Sequence, residues 1–140
     1  MPTDIAFLSK GIAFKLTHPK KSASWLLAIA EEEGRKIESL TYVFASDAFV
    51  AKMNKEYLHH DSYTDILTFD YSEGGNIIGE IYISIPRVKE NARTFKQPFD
   101  SELRRVMAHG LLHILGYKDK SAKQLAEMRG KEEACLSLWQ

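Results

Sequence analysis

The sequence contains a single cysteine, Cys135, in 140 residues. One thiol makes no internal disulfide, which excludes the stapled scaffolds of small secreted domains and suits a reducing compartment. A cytoplasmic protein is therefore expected. Neither sign of charge is in excess: 19 Lys and Arg stand against 19 Asp and Glu. That balance excludes a chain that coats nucleic acid indiscriminately, although a local basic surface remains compatible with it. No apolar run approaches the about 20 residues of a membrane span. The N-terminal stretch Met1 to Lys10 also lacks the basic and apolar regions of a signal peptide, so no membrane partner is expected. Internal repeats, low-complexity segments and linkers long enough to separate domains are missing too.

What is present is the composition of a soluble globular domain, 44% hydrophobic and 27% charged. Residues 1–140 read as one domain, large enough to bury a core without staples. Ile5 and Phe7, then Ile12, Phe14 and Leu16, suggest short strands around Gly11. Ser22 is a candidate cap for a helix burying Trp25, Leu26, Ile29 and Ala30, with Gly34 ending it. Residues 39–45 have strand composition, and Ser46 or Asp47 then caps a helix with Phe49, Val50, Met53 and Tyr57 on one face. Two further strands, residues 66–69 and 77–85, flank the loop-like run Ser72 to Asn76, and Pro86 is expected to end the second.

Beyond Pro86 an apolar stripe of Val88, Ala92 and Phe95 runs beside a basic one of Lys89, Arg93 and Lys96. The basic stripe is a candidate for holding phosphates, although a solvated face has the same pattern. A helix capped by Asp100 then buries Leu103, Met107, Leu111 and Ile114. A capping box of Ser121 and Gln124 opens a last helix with Leu125, Met128, Cys135 and Trp139 inward. The mixture of strands and helices, with helices concentrated late, predicts an α/β (α+β) domain: a small mixed sheet of about four strands packed with about five helices.

The chemistry concentrates in residues 107–120. His109 and His113 lie one helical turn apart on one face, a spacing that lets two imidazoles share a metal ion. Gly116 can take the left-handed conformation that ends a helix, and the chain then returns a carboxylate, Asp119. The candidate ligand set is His109, His113 and Asp119 around zinc, with a position open to water or substrate. Asp119 can also be read as a surface acid that starts the last helix; Glu80 and Asp65 are then the next candidates for the third ligand. In the HExxH zinc proteases a glutamate follows the first histidine and serves as general base. Here Gly110 occupies that position.

The run His109-Gly-Leu-Leu-His113-Ile-Leu-Gly-Tyr117 resembles the HGxLHLxGYDH signature of the YbeY family. Members are metal-dependent, single-strand-specific endoribonucleases associated with ribosomal RNA maturation and ribosome quality control. The family's third histidine falls on Asp119 and its preceding aspartate on Lys118. A second block, Met53 to Phe69, resembles the family's LNxxYRxxDxPTDVLSF, matching at Asn54, Tyr57, Asp61, Thr64, Asp65 and Phe69. The family arginine is Leu58 here and the family proline Tyr63, while His59 or His60 is a candidate to replace the missing cation. Asp65, in a turn, and Glu80, set among strand residues, are candidate catalytic carboxylates beside the two histidines.

The resemblance implies single-stranded RNA as substrate, ribosomal RNA in particular (16S rRNA 3′-end processing), and the small ribosomal subunit as partner. Two other classes fit the same residues: a zinc hydrolase of peptides or amides, and a non-catalytic ribosome-associated zinc module.

Overall fold

The computed structural model describes residues 4–58 and 65–140. Its elements, in order, are β1 (Asp4–Lys10), α1 (Pro19–Glu32), β2 (Ile37–Ala45), α2 (Asp47–Leu58), β3 (Ile66–Asp70), β4 (Ile77–Ser84), α3 (Ile85–Thr94), α4 (Phe99–Ile114) and α5 (Ala122–Ser137). The four strands form one mixed sheet in the order β1-β2-β4-β3. β2 runs parallel to both β1 and β4, and β3 returns antiparallel to β4 through a hairpin. Four strands and five helices match the architecture expected from the pattern of the sequence.

β4 shows how the sheet divides the interior. Its side chains alternate between faces, so Gly79, Ile81 and Ile83 meet the large core while Glu80 and Tyr82 point the other way. The large core packs Tyr42, Phe44, Ile81 and Ile83 of the sheet against Leu26 and Ile29 of α1, Met107 and Leu111 of α4, and Met128 and Cys135 of α5. On the opposite face a smaller cluster of Ala45, Val50 and Leu67, flanked by Phe49, Phe69 and Tyr82, lies under α2. Tyr42 crosses the large core and donates its hydroxyl to the Met107 carbonyl at 2.8 Å, satisfying a group that would otherwise be costly to bury.

Glycine sets how closely α4 approaches the sheet. A Cβ on Gly79 would lie 2.8 Å from the Phe69 carbonyl oxygen and 2.9 Å from Cδ1 of Ile114. A Cβ on Gly110 would lie 2.9 Å from Cδ1 of Ile66 and 3.0 Å from Cγ2 of Ile81. At each glycine the backbone of one layer therefore meets an isoleucine side chain of the other.

Several local expectations are corrected. Residues 12–16 form no strand: the chain leaves β1 at Gly11, whose φ of 72° turns it out of the sheet. Phe14 instead packs edge-on against Phe44 and Phe99. α1 starts earlier than expected, with Pro19 in its first turn and His18 at the cap, so Ser22 lies inside the helix. Pro86 lies just past the end of β4, as expected. It occupies the first turn of α3, where a missing N–H is tolerated, and Ser84 caps the helix by accepting from the Arg87 N–H. α4 is capped by Pro98, leaving Asp100 in its first turn. The Ser121 and Gln124 capping box of α5 forms as expected. Leu125 and Phe95 are exposed, not inward. Trp139 lies past the end of α5, edge-on to Trp25. Among the described residues no helix is long and apolar enough to cross a membrane.

Candidate metal centre

α4 carries the site. Asp100 and Glu102 in its first turn favour the helix dipole, and Leu103, Val106, Met107, Leu111 and Ile114 bury its inner stripe. His109 and His113 stand on a neighbouring stripe, one turn apart. The helix closes when Gly116 takes φ 112° and the N–H groups of Gly116 and Tyr117 bond to the carbonyls of His113 and Leu112, both at 3.0 Å. Tyr117 then donates its hydroxyl to Glu33 at 2.8 Å, and Lys131 holds the other oxygen of Glu33 at 3.2 Å. The turn is thereby pinned to α1 and α5, and Asp119 comes back over the histidines.

Three atoms converge. Nε2 of His113 lies 3.1 Å from Nε2 of His109 and 3.3 Å from Oδ2 of Asp119, and that same oxygen is 3.4 Å from Nε2 of His109. A tetrahedral ion with bonds of about 2.0 to 2.1 Å separates its ligand atoms by roughly 3.3 to 3.4 Å. The triangle fits that ion, and two imidazoles with one carboxylate suit zinc or a similar transition metal. The histidine side chains are 17% and 31% exposed and that of Asp119 33%. The outer side of the triangle is therefore open to water or substrate.

A second layer was not legible in the sequence. Glu132 of α5, 5% exposed, faces Nδ1 of His109 at 2.6 Å. Its other oxygen accepts from Arg105 at 3.1 Å, and Arg105 also donates through Nε to Glu102 at 3.0 Å. Burial pushes the Glu132 carboxyl upward, but the hydrogen bond from His109 and the charge of Arg105 outweigh it, holding the group below the ordinary carboxylate range. The bonds to Glu102 keep Arg105 firmly charged against its own burial. The only sequence signal for this layer is polar residues on helix positions that pack inward.

The chain matches the family model Endoribonuclease YbeY over residues 5–140. The chain belongs to the YbeY family. Among curated relatives carrying that family name, one from Cytophaga hutchinsonii is 47% identical over 96% of this chain and 94% of its own. One from Flavobacterium psychrophilum is 44% identical over 91% of each. The solution structure of a Thermotoga maritima protein superposes with a TM-score of 0.65 at 27% identity, covering 96% of this chain and 87% of that one.

Asp119 is the residue the structure brings to His109 and His113. Leu58 is the last residue of α2. His59, His60, Asp61, Tyr63 and Thr64 lie outside the described residues.

The other candidates do not join the triangle. Glu80 is half-buried on the α2 face of the sheet, accepting from the Tyr82 hydroxyl at 3.3 Å, so the sheet itself separates it from α4. Asp65 sits at the start of β3, taking the Asn91 amide at 3.2 Å and giving its carbonyl to the Ser84 N–H at 2.9 Å. It joins β3 to α3 and β4. Lys89 and Arg93 are exposed one turn apart on α3, as the stripe predicts. Lys96 lies beyond the end of that helix at φ 56°, so it does not continue the stripe.

Proposed function

We propose that this chain is a metal-dependent endoribonuclease that cuts single-stranded RNA at the His109, His113 and Asp119 centre. The observation that carries the reading is the convergence of three ligand atoms with edges of 3.1 to 3.4 Å in a chain of the YbeY family. Zinc is the ion the donor set favours. When bound it would supply Lewis acidity, polarising a phosphoryl oxygen and acidifying water.

The remaining steps fall to the chain. His109 and His113 present ring nitrogens from one face of a helix, and Asp119 supplies a carboxylate oxygen. Lys89 and Arg93 are placed to hold phosphates without reading sequence. A peptide hydrolase of the HExxH type would need a carboxylate at position 110, where Ile66 and Ile81 crowd even a methyl group. Ribosomal RNA as the substrate, the small ribosomal subunit as partner and the cytoplasm as compartment belong to the same proposal, supported by the family resemblance and, for the compartment, by the single thiol.

Elemental analysis of the purified protein, run beside cleavage of a single-stranded RNA with and without chelator, tests the reading. The expected result is about one zinc per chain and turnover that chelator abolishes and zinc restores. Stoichiometric metal with no RNA turnover would instead support a structural zinc module, and cleavage untouched by chelator would sink the metal assignment.

A further inference from the structure

We infer that Glu132 is a positioning residue of the metal centre, fixing His109 in the tautomer that offers Nε2 to the ion, with Arg105 holding Glu132 in place. The inference rests on the metal reading above. Nε2 of His109 points at His113 and Asp119, while Nδ1 lies 2.6 Å from Oε2 of Glu132. An ionised carboxylate only accepts hydrogen bonds, so Nδ1 carries a proton, and in the neutral ring Nε2 is then the nitrogen that keeps its lone pair. That lone pair is what a metal requires.

The surroundings show why the carboxylate cannot turn away. Its second oxygen is held by Nη1 of Arg105 at 3.1 Å, and Arg105 is itself held by Glu102, a residue only 2% exposed. Glu102 alone would neutralise Arg105. A second buried acid leaves the trio of Glu102, Arg105 and Glu132 with an excess negative charge, and burying it is costly unless a further donor meets it. The His109 N–H is that donor. Two helices, α4 and α5, are thus joined through a chain of four polar groups that ends on a ligand nitrogen.

His113 is treated differently. Its side chain is 31% exposed against 17% for His109, and its bonds among the described residues run only to His109 and Asp119. His109 is therefore the pre-set ligand, and His113 and Asp119 are the ones free to adjust.

The test uses the full chain labelled with ¹⁵N. In the metal-free protein at about pH 8.5, above the imidazole range, long-range ¹H–¹⁵N correlations should show His109 protonated at Nδ1. In Glu132→Ala that proton should move toward Nε2, and zinc affinity in a chelator competition should fall ~10- to 100-fold, the usual effect of losing such an outer partner. Glu132→Gln keeps the size of the side chain and one acceptor, so it should fall between the two; it also carries the test if the alanine variant fails to fold. A purely structural Glu132 would lower the melting temperature of the metal-free protein while leaving tautomer and zinc affinity unchanged, which would overturn the inference. A parent chain that binds no zinc would sink the proposed function and this inference together. A parent that binds zinc, with both variants unchanged, would sink this inference alone.

Discussion

A carbon added to Gly110 would lie 2.9 Å from Cδ1 of Ile66, and the same carbon would press on Ile81 at 3.0 and 3.1 Å. The residue after the first histidine is thus fixed by contact between helix and sheet. Alanine in a helix interior is ordinarily worth about 1 kcal/mol over glycine. Here overpacking of roughly 1 to 3 kcal/mol should exceed that gain. Gly110→Ala should therefore lose about 1 kcal/mol in urea unfolding, and a variant as stable as the parent would show that the isoleucines yield freely.

His109→Ala and His113→Ala should each lose bound metal and RNA turnover, by more than the about 10- to 100-fold typical of outer partners. Their stabilities should differ. His109→Ala strips Glu132 of a buried donor, an expected loss of about 1 to 3 kcal/mol, whereas His113 leaves no comparable group behind. Metal content and urea midpoints, measured side by side, check both halves; stoichiometric zinc in either variant would remove that histidine from the ligand set.

Asp119→His should retain metal, because an imidazole is an equally competent ligand. Asp119→Ala should bind it more weakly. If the alanine variant competes with a chelator as well as the parent does, Asp119 is a surface acid at the start of α5 and the third ligand lies elsewhere.

Reversing Lys89 and Arg93 to glutamate should weaken RNA binding and flatten its dependence on salt. With about 0.7 counterions released per single-strand phosphate contact, the log–log slope should become shallower by roughly 1.4. Lys96→Glu, off the helix, should have a smaller effect. An unchanged slope in the double variant would return both residues to an ordinary solvated face.

Burial pushes the Cys135 thiol up to about 11, well above the ordinary thiol range, with Glu33 and Glu132 adding to the shift. A thiol whose folded value is raised contributes stability that is complete below the unfolded value and lost as pH rises through the folded one. The parent should therefore lose roughly 2 to 3 kcal/mol relative to Cys135→Ala between about pH 9 and 11. Urea unfolding across that range checks the sign: parallel curves would mean the thiol ionises equally in both states.

Local pattern made much of the fold legible: β2, β4, the buried stripe of α4 and the α5 capping box all follow from alternation, helical spacing and a short capping motif. Residues 12–16 misled because their alternation reflects docking of Phe14 against Phe44, a contact that exists only once the sheet is formed. Pro86 was legible, since β4 ends just before it and a proline there is also an ideal first-turn residue of the helix that follows. In the site, His109, His113 and Asp119 were readable because all three lie within eleven residues, His109 to Asp119. Glu132 was not, since nothing in its neighbourhood distinguishes it from the exposed Glu133 beside it. Only the packing of α5 on α4 tells the two apart.

The polar groups of the centre, from Glu102 to Glu132, occupy one continuous run of chain made of two helices and the turn at Gly116. The parallel strand pairs, by contrast, close only after crossovers through α1 or from β2 to β4. Loop closure costs less entropy for a short connection than for a long one, so the helical hairpin has the lower contact order of the two halves. The three candidate ligands are therefore brought together by local closure of the chain, without recourse to the long crossovers that the sheet needs.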